Sequence, residues 1–600
     1  MFNKKCVIYV LLLLSCTFVP CLAQNEFSAW NKSKAAGLDK PLFVYNNWSA
    51  YDELSDNIPL DEALAMKELE HIVRLKNLGV QVDYYMMDAF WFDVNEGYRK
   101  WRADRWPEGP ERWLEACKKE GIKPGLWFST NLLRIGGPTT TMKPIPEWQG
   151  SVSEDGTTLC LFRGGYLPHL METLQMYADM GIKMFKFDFA YFDAAIPEVK
   201  CTMLPSEIEE QNRNAFILAI KEFRYKNPDV LFIGYNGFGG DMENTVTPFR
   251  KTVDQRWLEI FDTMYCGDPR LSDVPMMNFW RSQDLYSDHM TFQYLFNGLP
   301  IQRIDNCAFM IGTTGTCYNR ALNAWKGMMI LTMARGGWLN VCHGNIDLLS
   351  DEEARWMSQV QQLCMNVQQY GRIAAFGSIP GKALPYGYVA STNRGNLYTI
   401  VNASQTKVRL ALPEAIGEGR ILFRDNGYIP VLKGDSVELG PEQMAVIGFG
   451  EFNTSHYDLG IEKDIIIPET IQQVEINIQK KDEHTLQARY IPSKGKTVRI
   501  LFQQLDEQGK AFRSWGGAPP SGIKMDHFFN IEVRQGKRLL PIKKSHDKMI
   551  WCGLSWAVAE VSADAVKDNL PIEISCTTVD GNSQYCRLNI YEVEYPFSIL

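Results

Sequence analysis

Short apolar runs alternate with amphipathic stretches over residues 41–372. Runs of strand type fall at residues 42–45, 83–87, 123–128, 183–187 and 230–234, and helical spacing occupies 62–78, 112–120, 166–180 and 208–225. In the last of these Phe216, Ile217, Ala219, Ile220 and Phe223 form one apolar stripe, the mark of a helix packed on one face. Strand-then-helix units of this length predict parallel strands joined by crossover helices. Later runs at 275–279, 299–304 and 338–341 supply the remaining strands. About eight units favour a (β/α)8 TIM barrel over an open sheet. No G-x-G-x-x-G or Walker loop follows an early strand, which weakens dinucleotide and nucleoside-triphosphate alternatives.

Beyond Gly371 the period changes. Short alternating runs at 387–390, 397–401, 408–412 and 445–449, broken by Gly, Asn and Asp, predict a β-sandwich. Runs at 474–478, 498–502, 572–576 and 586–592 predict a second one. The expected order is therefore a leader at 1–23, a catalytic barrel at 38–374, and all-β sandwich domains at 375–450 and 451–600.

The leader has Lys4 and Lys5, an apolar run at 7–14 and a small-residue end at Cys21-Leu22-Ala23, the layout of a secretory signal cut after Ala23. Leu13-Leu14-Ser15-Cys16 offers the alternative of a lipobox, with a lipid anchor at Cys16. The run is too short to span a bilayer, and no later segment offers a span. The expected location is thus secreted or periplasmic, or an outer-membrane lipoprotein. Eleven of the 14 Cys lie beyond the leader without C-x-x-C pairs, so most read as small buried hydrophobes and no zinc signature is present. A net charge of −9 argues against nucleic acid or anionic lipid as the main partner. Aromatic content is 12%, with 16 Trp. Large cores account for much of it, and sugar-stacking surfaces are the functional alternative.

A barrel of this type carries its active site at the carboxyl ends of the strands. Four predicted ends carry polar residues: Asp88, the pair Lys186 and Asp188, Asn236 before a glycine-rich loop, and Arg281 with Asp284. Lys186 and Asp188 are two residues apart and share a strand face. Two carboxylates across a barrel mouth suit glycoside hydrolysis, one attacking the anomeric carbon and one protonating the leaving oxygen. Lys186 beside Asp188 is expected to keep that carboxylate ionised. Taken singly, Lys-x-Asp is an ordinary salt bridge and Arg-Ser-Gln-Asp an ordinary helix start; their joint occurrence favours function. His343 reads as a structural histidine. Asp305 and Asn306 either line a subsite or cap a loop, and the Met-Met pairs read as core filling.

These segments resemble the α-galactosidase clan of retaining glycoside hydrolases, families 27 and 36, and are nearest to the family 36 barrel, along roughly residues 41–356. Pro41-Leu42-Phe43-Val44-Tyr45-Asn46-Asn47-Trp48 is similar to the first-strand segment, and Met87-Asp88-Ala89-Phe90-Trp91 to an Asp-Asp-Gly-Trp segment. Gly121-Ile122-Lys123-Pro124-Gly125-Leu126-Trp127-Phe128 and Gly181-Ile182-Lys183-Met184-Phe185-Lys186-Phe187-Asp188 resemble the third strand and the nucleophile strand. Gly237-Phe238-Gly239-Gly240, Trp280-Arg281-Ser282-Gln283-Asp284 and Ile346-Asp347-Leu348-Leu349-Ser350-Asp351-Glu352-Glu353 resemble the glycine loop, the acid/base segment and the barrel's closing stretch.

The resemblance implies a retaining mechanism without metal or other cofactor on a carbohydrate substrate. Asp188 would attack, and Asp284 would protonate the leaving oxygen and then activate water, with Asp288 the fallback for Asp284. Trp48, Asp88, Trp91, Trp127, Lys186, Asn236 and Arg281 would bind substrate. Departures from the pattern are Ala89 for the second Asp, Tyr235 and Asn236 before the glycines, Arg-Ser-Gln-Asp for Ser-Asp-Asp, and no counterpart of the large N-terminal β-domain of family 36. α-Galactosidase therefore stands beside α-N-acetylgalactosaminidase, β-L-arabinopyranosidase and a non-catalytic glycan-binding barrel.

Overall fold

The computed structural model describes residues 38–48, 58–135, 141–238, 254–267, 287–296, 298–312, 325–415, 417–509, 528–544 and 555–596. The expected leader at 1–23 with Cys16, and the segment holding Trp280, Arg281 and Asp284, lie outside these residues.

Eight parallel strands close a barrel: β1 (Leu42–Asn46), β2 (Tyr84–Met87), β3 (Lys123–Ser129), β4 (Met184–Asp188), β5 (Leu231–Gly234), β6 (Thr263–Tyr265), β7 (Ile304–Ile311) and β8 (Leu339–Gly344). β8 pairs with β1, with Val44 opposite Val341 and Asn46 opposite His343, so the ring has no free edge. Helices α1 (Glu62–Asn77), α2 (Glu111–Lys119), α3 (Tyr166–Met180), α4 (Pro205–Lys226), α5 (His289–Phe296), α6 (Trp325–Ala334) and α7 (Asp351–Tyr370) belong to this part of the chain. α1 starts where the Asp61 side chain accepts the Leu64 N–H, and it buries Ala65, Leu69, Ile72 and Leu75 on one stripe. α7 opens with a capping box in which Ser350 and Glu353 satisfy each other's backbone N–H groups.

Two strand expectations are corrected. The sixth barrel strand is Thr263–Tyr265, and the barrel closes without 275–279, which lies outside the described residues. Asp262 and Thr263 interrupt the apolar run there, so the strand left no continuous hydrophobic signature. The run at 299–304 is mostly a 3-10 turn, Ile301–Arg303, leading into β7.

The barrel is followed by a six-stranded mixed sheet, a three-stranded antiparallel sheet and then two five-stranded sheets. The six-stranded sheet reaches beyond the expected limits of 375 and 450. It takes in Arg372–Gly377 at one edge and Gly460–Ile467 at the other, the latter paired parallel to Gly419–Gly427. In the last domain the run at 474–478 is not one strand: Thr470–Gln473 pairs into one sheet and Ile478–Lys480 into the other. Polar Gln472, Gln473 and Glu475 allow that change of sheet. Barrel and first sandwich meet at α7, where the Trp356 indole donates to Leu459 O at 2.8 Å. The nine described cysteines are all thiols, seven of them buried.

Candidate active site

Asp188 ends β4 with its carboxylate buried in a ring of N–H donors. Oδ1 accepts from the Phe189 backbone at 2.9 Å, the Asn236 side chain at 2.8 Å and the Asn236 backbone at 3.2 Å. Oδ2 accepts from the Trp127 indole at 3.2 Å. β3 presents Trp127 because it lies opposite Lys186 in the register and shares its face. The Asn236 position is fixed by the turn after β5. Its carbonyl accepts the Ala190 N–H, and Gly237 follows at φ 97°, where a Cβ would lie 2.2 Å from Ala190 O. Only glycine lets that turn sit so close to the strand end beside it.

Asp88 follows β2. The Asn47 side chain accepts its backbone N–H at 2.8 Å, and the Ala89 N–H returns to Asp88 Oδ1 at 2.9 Å. Oδ2 pairs with Lys186 Nζ at 2.7 Å, with both side chains 4% exposed. The same ammonium lies 4.0 Å from the centre of the Tyr235 ring, and Tyr235 stacks on Tyr265 with centroids 4.5 Å apart.

Lys186 favours the ionised form of Asp188 as expected, but through space and not by direct pairing. Its direct partner is Asp88. Burial raises the Asp188 pKa, Lys186, Asn236 and Trp127 oppose that rise, and the Asp88 charge adds to it; the net direction is upward. Asp188 is a carboxylate held directly on N–H groups, with the Lys186 charge that favours its ionisation shared with Asp88. Such a group is nucleophilic once ionised and easily neutralised when it bonds to carbon.

Trp48 is half-buried just beyond β1, with its N–H on Asn46 Oδ1 and its ring 6.1 Å from that of Phe90. Trp91 is not a subsite residue. It is fully buried among Phe92, Tyr98, Trp101, Phe128 and Tyr177, and its indole donates to Trp127 O at 3.1 Å. Its proximity to Asp88 in sequence misled because Phe90 adopts φ 76° and turns the chain between them.

Asp288 is excluded as an acid/base. Its carboxylate accepts from Arg335 Nε at 2.7 Å, from Tyr386 OH at 2.8 Å and from Tyr388 OH at 2.9 Å, in full burial between barrel and sandwich. His343 is buried, with Nε2 2.9 Å from Cys307 Sγ. Asn306 donates to Gly337 O and Asn340 Oδ1, a structural bond pair, and Asp305 is buried on β7 beside Tyr265.

Sequence reasoning missed three contributors. Asn47 anchors the Asp88 backbone, and Phe90 and Phe189 occupy left-handed backbone immediately beyond the two carboxylates. The phenylalanines carried no signal, because an apolar residue at a strand end reads as core.

No protein-family model matches the chain, and no curated protein matches it. Among solved structures it is similar to the galactosidase domain of an alpha-galactosidase-sucrose kinase, at 15% identity over 69% of this chain and 55% of that one, TM-score 0.47. It is similar to the family 36 alpha-galactosidase of Geobacillus stearothermophilus at 15% identity over 68% and 55%, TM-score 0.44. It is also similar to alpha-galactosidase I of Mortierella vinacea at 14% identity over 70% and 98%, TM-score 0.44. The chain spans little more than half the length of the first two. Likeness of this order assigns no activity, so the chemistry rests on the site itself.

Proposed function

We propose that the chain is a retaining α-glycosidase of α-galactosidase-like type, cleaving terminal sugars from oligo- or polysaccharides by double displacement. The observation that carries this reading is the Asp188 carboxylate: buried at a barrel strand end and held on four N–H groups, one of them the Trp127 indole. Asp188 attacks the anomeric carbon and forms a glycosyl ester. The indole and amide donors hold its second oxygen as charge leaves the first. Asp284 remains the acid/base of this proposal, giving a proton to the leaving oxygen and taking one from water. The Asp88–Lys186 pair forms the polar floor beneath the sugar. Export directed by residues 1–23, or anchoring through Cys16, belongs to the same proposal.

The test is a screen of aryl α-glycosides with the wild type and Asp188→Ala, with the anomer of the first product read by NMR. Turnover with retained configuration, lost by about 10⁴-fold or more in the variant, is expected. Absence of turnover on every α-linked sugar would sink the enzymatic reading. Unchanged turnover in Asp188→Ala would sink the site.

A further inference from the structure

Lys186 has two carboxylates within its compass. Its ammonium bonds Asp88 Oδ2 at 2.7 Å, two strands away, yet Asp188 stands two residues along the same strand face. The Lys186 charge already acts on Asp188 through space, second only to burial among the causes that set its ionisation. A lysine is a point charge on a four-carbon stem that turns at every bond, so the one side chain can serve either partner. Both carboxylates are buried and carry the same charge when ionised, so charge alone does not choose between them.

An aromatic face lies against the ammonium. Tyr235 follows β5, the strand beside β4, and its ring centre is 4.0 Å from Lys186 Nζ. A cation–π contact at this range is strongest where water is excluded, and Tyr235 is 3% exposed. The ring is itself braced. Its backbone N–H donates to Phe187 O at 2.8 Å, and the ring stacks on that of Tyr265 with centroids 4.5 Å apart and planes 28° apart. The Tyr265 carbonyl in turn accepts the Tyr294 hydroxyl of α5 at 2.5 Å. Strands β5 and β6 and helix α5 therefore fix this face with respect to the lysine.

We propose that Tyr235, backed by Tyr265, is a positioning residue that holds the Lys186 ammonium on Asp88 and keeps it from pairing directly with Asp188. The proposal rests on the glycosidase reading above for Asp188 as the nucleophile. A direct lysine contact is made in the ground state and lost as the carboxylate becomes an ester, so it slows the attack. With the ring in place the charge acts on Asp188 from a distance; without it the ammonium divides between the two carboxylates. The other titratable groups about this pair are Tyr98 on the Gly97–Trp101 strand, which feels the Asp188 charge, Asp305 opposite Tyr265 on β7, and His343 opposite Asn46 on β8.

The test is Tyr235→Leu, which removes the aromatic face and leaves an apolar side chain, assayed on the aryl α-glycoside that the wild type hydrolyses fastest. Its kcat should fall about tenfold, the scale of a desolvated cation–π contact. The acidic limb of its kcat/KM profile should move to lower pH, because direct pairing favours the ionised form of Asp188. A merely structural loss lowers kcat without that downward move. Tyr235→Phe keeps the ring and should recover both properties. Tyr265→Leu removes only the brace and should move both the same way by less; it decides the matter if Tyr235→Leu does not fold. A limb that stays or rises in the leucine variants, or a Tyr235→Phe enzyme as impaired as Tyr235→Leu, would overturn the role. Crystal structures of wild type and Tyr235→Leu judge it without turnover. Lys186 Nζ should leave Asp88 for Asp188 in the variant, and Nζ retained on Asp88 alone overturns the proposal. If no glycoside is hydrolysed, the glycosidase reading fails on its own while this comparison still decides what Tyr235 does.

Discussion

Replacing Asp288 by Asn should unfasten the barrel from the sandwich behind it. The carboxylate and the Arg335 guanidinium are 2.7 Å apart and both side chains are 0% exposed. Arg335 stays charged in any accessible pH range, so loss of the Asp288 charge leaves a buried cation without the carboxylate it pairs with. Breaking a buried pair in this way costs about 3–5 kcal/mol. The Asn amide also turns N–H groups toward Arg335, Tyr386 and Tyr388, all of which donate. Tyr386→Phe and Tyr388→Phe each remove one hydroxyl from a carboxylate that keeps its other partners, and each should cost less, about 1.5–3 kcal/mol. Exchanging the whole pair, Asp288→Leu with Arg335→Met, should recover much of the loss because no charge is then stranded. Urea unfolding followed by tryptophan fluorescence reads the order, and limited proteolysis between α7 and the sandwich reads the place. An Asp288→Asn midpoint equivalent to less than about 0.5 kcal/mol would refute the argument from buried charge. Lost turnover with unchanged stability would return Asp288 to the reaction.

Two further outcomes follow from the site. Asn236→Ala removes an N–H that favours the ionised form of Asp188, whose pKa burial already raises. The acidic limb of the kcat/KM profile should therefore move to higher pH; a limb that stays or moves down contradicts the cradle. The tryptophans should separate by role. Trp91→Ala empties a packed aromatic core and should cost about 3–5 kcal/mol of stability, while Trp48→Ala, at the half-buried mouth, should raise KM with little change in the urea midpoint.

The barrel was legible because its signal is repetitive. Strand-and-helix units recur, and the amphipathic stripe of α4 and the capping box of α7 are local rules that the folded chain obeys. The sixth strand was illegible for a physical reason. The strand is only three residues long, Thr263–Tyr265, and Asp262, paired with Arg224, stands just before it, so its two apolar residues make no run. The sandwich limits were displaced because an edge strand such as Gly460–Ile467 is defined by its partner, and partners are not visible in a linear pattern.

At the site the residue types were legible and their pairing was not. Lys186 and Asp188 share one strand face, so sequence spacing suggested that one charge serves the other. In the closed barrel Asp88 also reaches that face, two strands away, and takes the ammonium at 2.7 Å. The consequence is chemical. With its cation in direct contact with Asp88, Asp188 feels the Lys186 charge through space and takes its direct hydrogen bonds from Trp127, Asn236 and its own next peptide, all neutral donors. Neutral donors stabilise a carboxylate without binding it as an ion pair, so they oppose nucleophilic attack less than a lysine in direct contact would. The proposed mechanism, which forms and then breaks an ester at Asp188, is served by this division, with the charge paired to Asp88 and the neutral donors at the Asp188 oxygens.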